Sequence, residues 1–324
     1  MSTVSDALEA LTDLQPDRAR VTADILYGLS QRPRQLPSKY FYDARGSALF
    51  EQITRQPEYY PTRTELQLLE QCAAEIADVV GPRLHVVELG SGSGRKTERL
   101  LHALADPVAY TPIEISRAAL LASIARLAQA LPAIEMLPVC ADFTQPVDLP
   151  APQRPAARRL LFFPGSTLGN FAEADAVALL QAMRQTMGAD GMALIGIDLH
   201  KDPALIEAAY NDAAGVTAAF TLNLLARLNR EIGSDFDLDA FQHRARYSVP
   251  RLRIETELVS TRPQRVHVAG RQVDFTEGEA MIVEYSHKYT EASFAALVAS
   301  AGLRVTAQWH ASAPAFALCL LQPA

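Results

Sequence analysis

The sequence predicts an α/β protein: a doubly wound, Rossmann-like sheet of seven strands, with a second, smaller α+β domain. Three observations predict it. Apolar strand-length runs alternate with helix-period segments from residue 84 to 198. That alternation breaks over 201–285, and it returns over 291–321 as one helix and two strands.

Residues 1–36 form a polar, helical lead-in that ends at the breakers Pro33 and Pro37, and the dense aromatic stretch YFYDARGSALFEQITRQPEYYPTRTE follows. Leu66, Leu68, Leu69, Cys72, Ala73 and Ile76 recur at helical spacing, which predicts a helix over 64–80. Strands are predicted at 84–89, 108–113, 135–139, 159–163 and 193–198, with helices at 95–105, 116–130 and 173–187 between them. Beyond Asp198 the segment DPALIEAAYNDAAGVTAAFTLNLLARLNREIG predicts one long helical piece, and 251–260 and 281–285 alternate as antiparallel strands do. A helix at 291–300 and strands at 304–309 and 316–321 complete the sheet. Residues 61–200 plus 286–324 are therefore assigned to the sheet-bearing core, and 1–60 plus 201–285 to the second domain.

With 324 residues, 49% of them hydrophobic, the chain can bury a large core. A net charge of −7 without clustered Lys and Arg argues against a nucleic-acid partner. The three cysteines, Cys72, Cys140 and Cys319, are too far apart for a zinc motif and odd in number, which fits a reducing cytoplasm and no metal. The N-terminus has no basic start before an apolar run, and no apolar stretch nears the roughly 18 residues of a membrane span. A cytoplasmic enzyme acting on a small molecule is expected, with no membrane partner and a monomer favoured.

The segment VVELGSGSGRKTERLL runs from strand through glycine loop to helix. Gly90, Gly92 and Gly94 let the backbone turn sharply and approach a ligand, and Glu88 at the strand end offers an acceptor. Glu114 ends the second strand, where an acid can bind both ribose hydroxyls of a nucleoside cofactor. Asp142 and Phe143 follow the third strand, where a carboxylate can accept an adenine amine and a ring can lie on the base. A dinucleotide oxidoreductase shares the loop and the ribose acid. It explains neither Ala-Asp-Phe after strand three nor the closing helix and strand pair. These features favour a class I S-adenosylmethionine (SAM) methyltransferase.

The loop after the fourth strand reads FFPGSTLGNF and lacks the Asn/Asp-Pro-Pro-aromatic motif of enzymes that methylate DNA bases or protein glutamine. Asn170 is the polar group best placed there to meet a substrate amine or carboxylate. At this point the sequence resembles the histidine Nα-methyltransferases of ergothioneine biosynthesis, over nearly the whole chain from Pro37. The motifs FYDARGSALFEQIT, PEYYPTRTE, LGSGSGRKT, FPGSTLGNF and GEAMIVEYSHKY carry the resemblance, with the AYND and LNRE stretches between the last two.

The resemblance implies that Gly90, Gly92, Lys96, Glu114, Asp142 and Phe143 contact SAM, although an Asp is usual where Glu114 stands. It implies that Phe50, Tyr59, Gly165, Asn170, Tyr210 and Thr217 hold the amino-acid end of the substrate, and that Glu284 and Ser286 receive the imidazole. A neutral imidazole offers one donor and one acceptor, which a carboxylate and a hydroxyl can satisfy together. Thr256 stands where the family usually has Met, which makes the wall beside the imidazole smaller and more polar. The expected reaction is three methylations of L-histidine to its trimethyl betaine, hercynine, with Asn170, Tyr59 and Tyr210 orienting the amine. The alternatives are the same chemistry on another amino acid such as tryptophan, and a SAM-binding protein without catalysis.

Overall fold

The computed structural model describes residues 4–324. They fall into two compact units: Pro61–His200 and Lys288–Ala324 with the N-terminal stretch up to Gln15, and Pro16–Tyr60 with Lys201–His287.

In the first unit, five strands run parallel in the order Val139–Ala141, Ala109–Glu114, Leu84–Leu89, Arg158–Phe163 and Met192–Asp198. Ala315–Pro323 then joins antiparallel and Leu303–Ser312 forms the edge, which completes the seven expected strands. Every residue of Leu84–Leu89, Ala109–Glu114 and Met192–Asp198 is buried, as a parallel sheet covered by helices on both faces requires. Leu69, Ile76, Leu100 and Ile124 pack one face, and Leu180, Met183, Phe294 and Val298 the other. The chain turns back toward the sheet through helices that start at defined caps: Ser116 accepts from Ala119 N, and Thr290 and Ser293 form a reciprocal capping box.

Three expectations that concern this unit need correction. The strand expected at 135–139 is two short strands, Glu135–Met136 and Val139–Ala141, because Pro138 between them has no N–H for the ladder. Residues 4–15, grouped by sequence with the smaller domain, belong to the sheet unit. Ala7 of the helix Val4–Glu9 is fully buried there, and Thr12–Leu14 adds a parallel edge strand beside Val139–Ala141. A three-residue strand carries no periodicity by which to read it. At the other end, the sheet unit resumes at Lys288 rather than 286, because the strand Ala280–His287 continues through Ser286.

The second unit is built on a four-stranded sheet in the order Arg34–Gln35, Ala280–His287, Arg253–Ser260 and Phe241–Ser248, antiparallel except at the two-residue edge. Arg253–Ser260 alternates strictly, with Ile254, Thr256, Leu258 and Ser260 buried, so one face is wet and the other packed. Phe41, Phe220, Leu224, Leu228, Ile254, Leu258 and Met281 form its core. The long helix expected after Asp198 is two helices, Pro203–Ala208 and Val216–Ile232. The break is made by Asp212, whose carboxylate accepts from Val216 N at 2.7 Å and Thr217 N at 2.8 Å and so starts the second helix afresh.

Candidate active site

In the sheet unit, the backbone turns at the carboxyl end of Leu84–Leu89 through Gly90, Gly92 and Gly94, all with positive φ (73°, 49° and 67°). Glu114 pins this loop: its two oxygens accept from Gly92 N and Ser116 N, each at 2.9 Å. One lone pair of each oxygen is thereby used, and a carboxylate has more. A Cβ built at Gly92 meets nothing within 4 Å, while one at Gly90 would touch the Phe143 ring at 3.4 Å. Phe143 stands edge-on to Phe163 and Phe171, with centroids 5.6 and 6.3 Å away. Asp142 Oδ1 accepts from Thr144 N at 3.0 Å and Thr144 Oγ1 at 2.6 Å, which fixes the turn that presents Phe143. The strand ends thus bring a bare backbone turn, a buried acid and an aromatic ring to one edge, the donor set a nucleoside with two vicinal hydroxyls and a flat base requires.

Glu88 sits deeper. It is 1% exposed and accepts from Thr97 Oγ1 at 2.5 Å and from the Tyr110 hydroxyl. Burial pushes its carboxyl up to about 8, against the opposing pull of those two hydroxyls and of Lys96. Burial also raises the Glu114 carboxyl, opposed by the amides of Ser116 and Gly92. Lys96, in the first turn of the helix Arg95–Ala103, is 2.5 Å from Glu65 Oε2.

Gly165 and Asn170 lie in the loop after Arg158–Phe163. Gly165 takes φ 84°, and Thr167–Asn170 forms a short 3-10 turn. Ser166, left-handed at φ 56°, accepts from Asp198 N at 2.9 Å. The Asp198 carboxylate in turn pairs with buried Lys288 at 2.9 Å.

The second unit gathers the other residues singled out by sequence. Phe50 and Tyr59 stand edge to face with centroids 6.2 Å apart, and Tyr59 and Tyr210 likewise at 6.3 Å. Tyr210 Oη lies 2.7 Å from Ser286 Oγ. Ser286 and Glu284 are two apart on one strand and share a face, and Thr256 is directly opposite Glu284 on the neighbouring strand. The ladder shifts register between Thr256 and Glu257, which leaves Val283 as a bulge residue and keeps Glu284 on the packed face. Thr256 is 1% exposed and its hydroxyl has no hydrogen-bond partner. Thr217, in the first turn of Val216–Ile232, is buried and donates its amide to Asp212.

Three buried groups, Glu65, Tyr110 and Asp198, and the half-buried His243 are wired to these residues and were not singled out by sequence. His243 Nε2 is 3.0 Å from the Tyr210 carbonyl and its Nδ1 2.8 Å from Thr221 Oγ1, and burial lowers its pKa. Each looks like a surface or strand residue in the sequence, because burial of a lone charge leaves no local pattern. Among the described residues no cluster of three metal-ligating side chains occurs, and no helix is long and apolar enough to cross a membrane.

Residues 21–323 match the family described as histidine-specific, SAM-dependent methyltransferase. The chain is 43% identical over 303 residues to the histidine N-alpha-methyltransferase of Mycolicibacterium smegmatis, covering 92% of this chain and 93% of that protein. It is 40% identical to the protein of the same description from Mycobacterium tuberculosis, with the same coverage. It is 27% identical over 318 residues to the L-tryptophan methyltransferase of Psilocybe serbica, covering 89% and 88% of the two chains.

Proposed function

The chain belongs to the family of histidine-specific, SAM-dependent methyltransferases, and on that premise we propose that it converts L-histidine to Nα,Nα,Nα-trimethyl-L-histidine, hercynine, as a step of ergothioneine biosynthesis. The observation that carries the choice of histidine is the pair Glu284 and Ser286 on one packed strand face, with Tyr210 Oη 2.7 Å from Ser286 Oγ. A carboxylate accepts from one imidazole nitrogen while a hydroxyl donates to the other, and an apolar ring satisfies neither.

Roles are proposed residue by residue. Glu114 takes the ribose hydroxyls, Asp142 the adenine amine and Phe143 the face of the base; Gly90 and Gly92 let the backbone approach, and Glu88 and Lys96 support the methionine end. Gly165, Asn170, Phe50, Tyr59, Tyr210 and Thr217 hold the amino-acid end. When bound, SAM supplies an electrophilic methyl on a sulfonium that leaves as a neutral thioether without acid assistance. The protein's task is to present a neutral α-amine in line with that methyl. Asn170, Tyr59 and Tyr210 orient the lone pair, and the ammonium proton that must leave before each transfer passes to water. The rings of Phe50 and Tyr59 suit the cation that grows with successive methylations.

A second reading, the same chemistry on tryptophan, is favoured by Thr256, which leaves a small polar side chain with an unpartnered hydroxyl opposite Glu284. Comparing kcat/KM for histidine and tryptophan in the parent, Glu284→Ala and Thr256→Met separates the two. Glu284→Ala should cost histidine about 2–4 kcal/mol of transition-state stabilisation and tryptophan little. Thr256→Met should improve histidine by about 1 kcal/mol through restored apolar contact. An unchanged histidine-to-tryptophan ratio in Glu284→Ala would mean that the imidazole is held elsewhere.

A further inference from the structure

Glu65 lies in the helix Tyr60–Val80 and is 0% exposed. A carboxylate removed from water needs a counter-charge and hydrogen bonds. Glu65 has both, within the sheet unit. Its Oε2 is 2.5 Å from Lys96 Nζ, and Gly165 N donates to Oε2 at 2.8 Å and Oε1 at 3.1 Å. The strand Met192–Asp198 makes room for it: a Cβ at Gly196 would overlap Oε1. A Cβ at Gly165 would come within 3.5 Å of Lys96 Nζ and 3.2 Å of Thr167 Oγ1. One carboxylate therefore joins the first turn of the glycine-loop helix to the start of the Gly165–Asn170 loop.

A buried ion pair is weak evidence of stabilisation, since well-packed apolar residues of similar volume often stabilise as well. Apolar residues cannot hold an ammonium and a backbone amide at once. We infer that Glu65 is a positioning residue for methyl transfer: it fixes the Lys96 ammonium and the Gly165 backbone in one mutual arrangement, and so keeps the cofactor-contacting lysine in register with the substrate loop. This rests on the roles proposed above for Lys96 and for Gly165–Asn170.

The test is a double-mutant cycle of Glu65→Gln and Lys96→Met. It is read by calorimetric Kd for S-adenosylhomocysteine and by kcat for histidine at saturating SAM, with urea midpoints to follow folding. Glu65→Gln keeps an oxygen for Gly165 N and loses the charge that anchors Lys96. It should raise the Kd roughly tenfold or more, with a smaller fall in histidine kcat at saturating cofactor. Glu65→Leu, which removes the acceptor too, should lower kcat further. In the Lys96→Met background, Glu65→Gln should add no more than about twofold to the Kd, because the group it acts through is gone. A Glu65→Gln Kd within about twofold of the parent, or the same loss in both backgrounds, would overturn the inference. Should Glu65→Gln alone not fold, the charge-neutral double variant is compared with Lys96→Met: equal Kd supports the inference, and a tenfold weaker Kd overturns it. Binding of S-adenosylhomocysteine does not depend on which amino acid is methylated. Failure of the histidine assignment would instead appear as no histidine turnover by a parent that binds the product normally.

Discussion

At the scale of single residues, the sheet unit holds several buried carboxylates, each with different partners. Glu88 is lifted to about 8 from an ordinary value of 4.5, chiefly by burial. In the unfolded chain its proton leaves near 4.5, and in the folded protein it stays until about 8. The stability this group contributes is therefore complete below the lower value and is lost as pH rises through the higher one. Glu88→Gln cannot ionise. Unfolding free energies of the ligand-free proteins, measured in urea from pH 5 to 8, should drift apart in favour of the variant, by on the order of a few kcal/mol at pH 8. Parallel profiles would mean that Glu88 is ionised throughout. Asp142 is proposed to take the adenine amine, so Asp142→Ala should weaken SAM binding by roughly 1–3 kcal/mol by calorimetry. Equal affinity in parent and variant would show that the adenine is held elsewhere.

At the scale of elements, most of the frame is legible in the sequence because the physics is local. Strand Leu84–Leu89 and helices Glu173–Met187 and Glu291–Ser300 have the bounds their apolar spacing predicts. The glycine loop is legible because positive φ at Gly90, Gly92 and Gly94 demands that residue. What was not legible depends on partners distant in sequence: the edge strand Thr12–Leu14, the carboxylate of Glu65, and the continuation of Ala280–His287 through Ser286. The break before Val216–Ile232 had a local signal in Asp212 and Gly215, but the helical periodicity running past it hid the cap. Asp212→Ala removes acceptors for two amides and should cost about 1–2 kcal/mol in urea denaturation. It should also raise the KM for histidine, because Thr217 is held by the same carboxylate. Asp212→Asn, which keeps one acceptor, should recover much of both. A stability loss with no change in KM would remove Thr217 from the substrate-binding residues.

For the whole molecule, the family and its cofactor follow from a match that spans residues 21–323 and from 43% identity to a histidine N-alpha-methyltransferase over nearly full length. The residues proposed to choose the substrate were named from motifs in the sequence, and the second unit gathers several of them on one packed strand face and one aromatic cluster. Thr256, opposite Glu284, is the position at which a change of substrate preference is proposed. The central claim is that histidine is the preferred substrate and that its α-nitrogen is methylated three times. The most direct measurement incubates the protein with SAM and an equimolar pool of the twenty amino acids and follows the products by mass spectrometry with fragmentation. The account predicts that histidine is consumed first and ends as the species with three methyl groups on the α-nitrogen and an unmodified ring. Preferential methylation of tryptophan or another amino acid, or methyl groups on the imidazole, would contradict it.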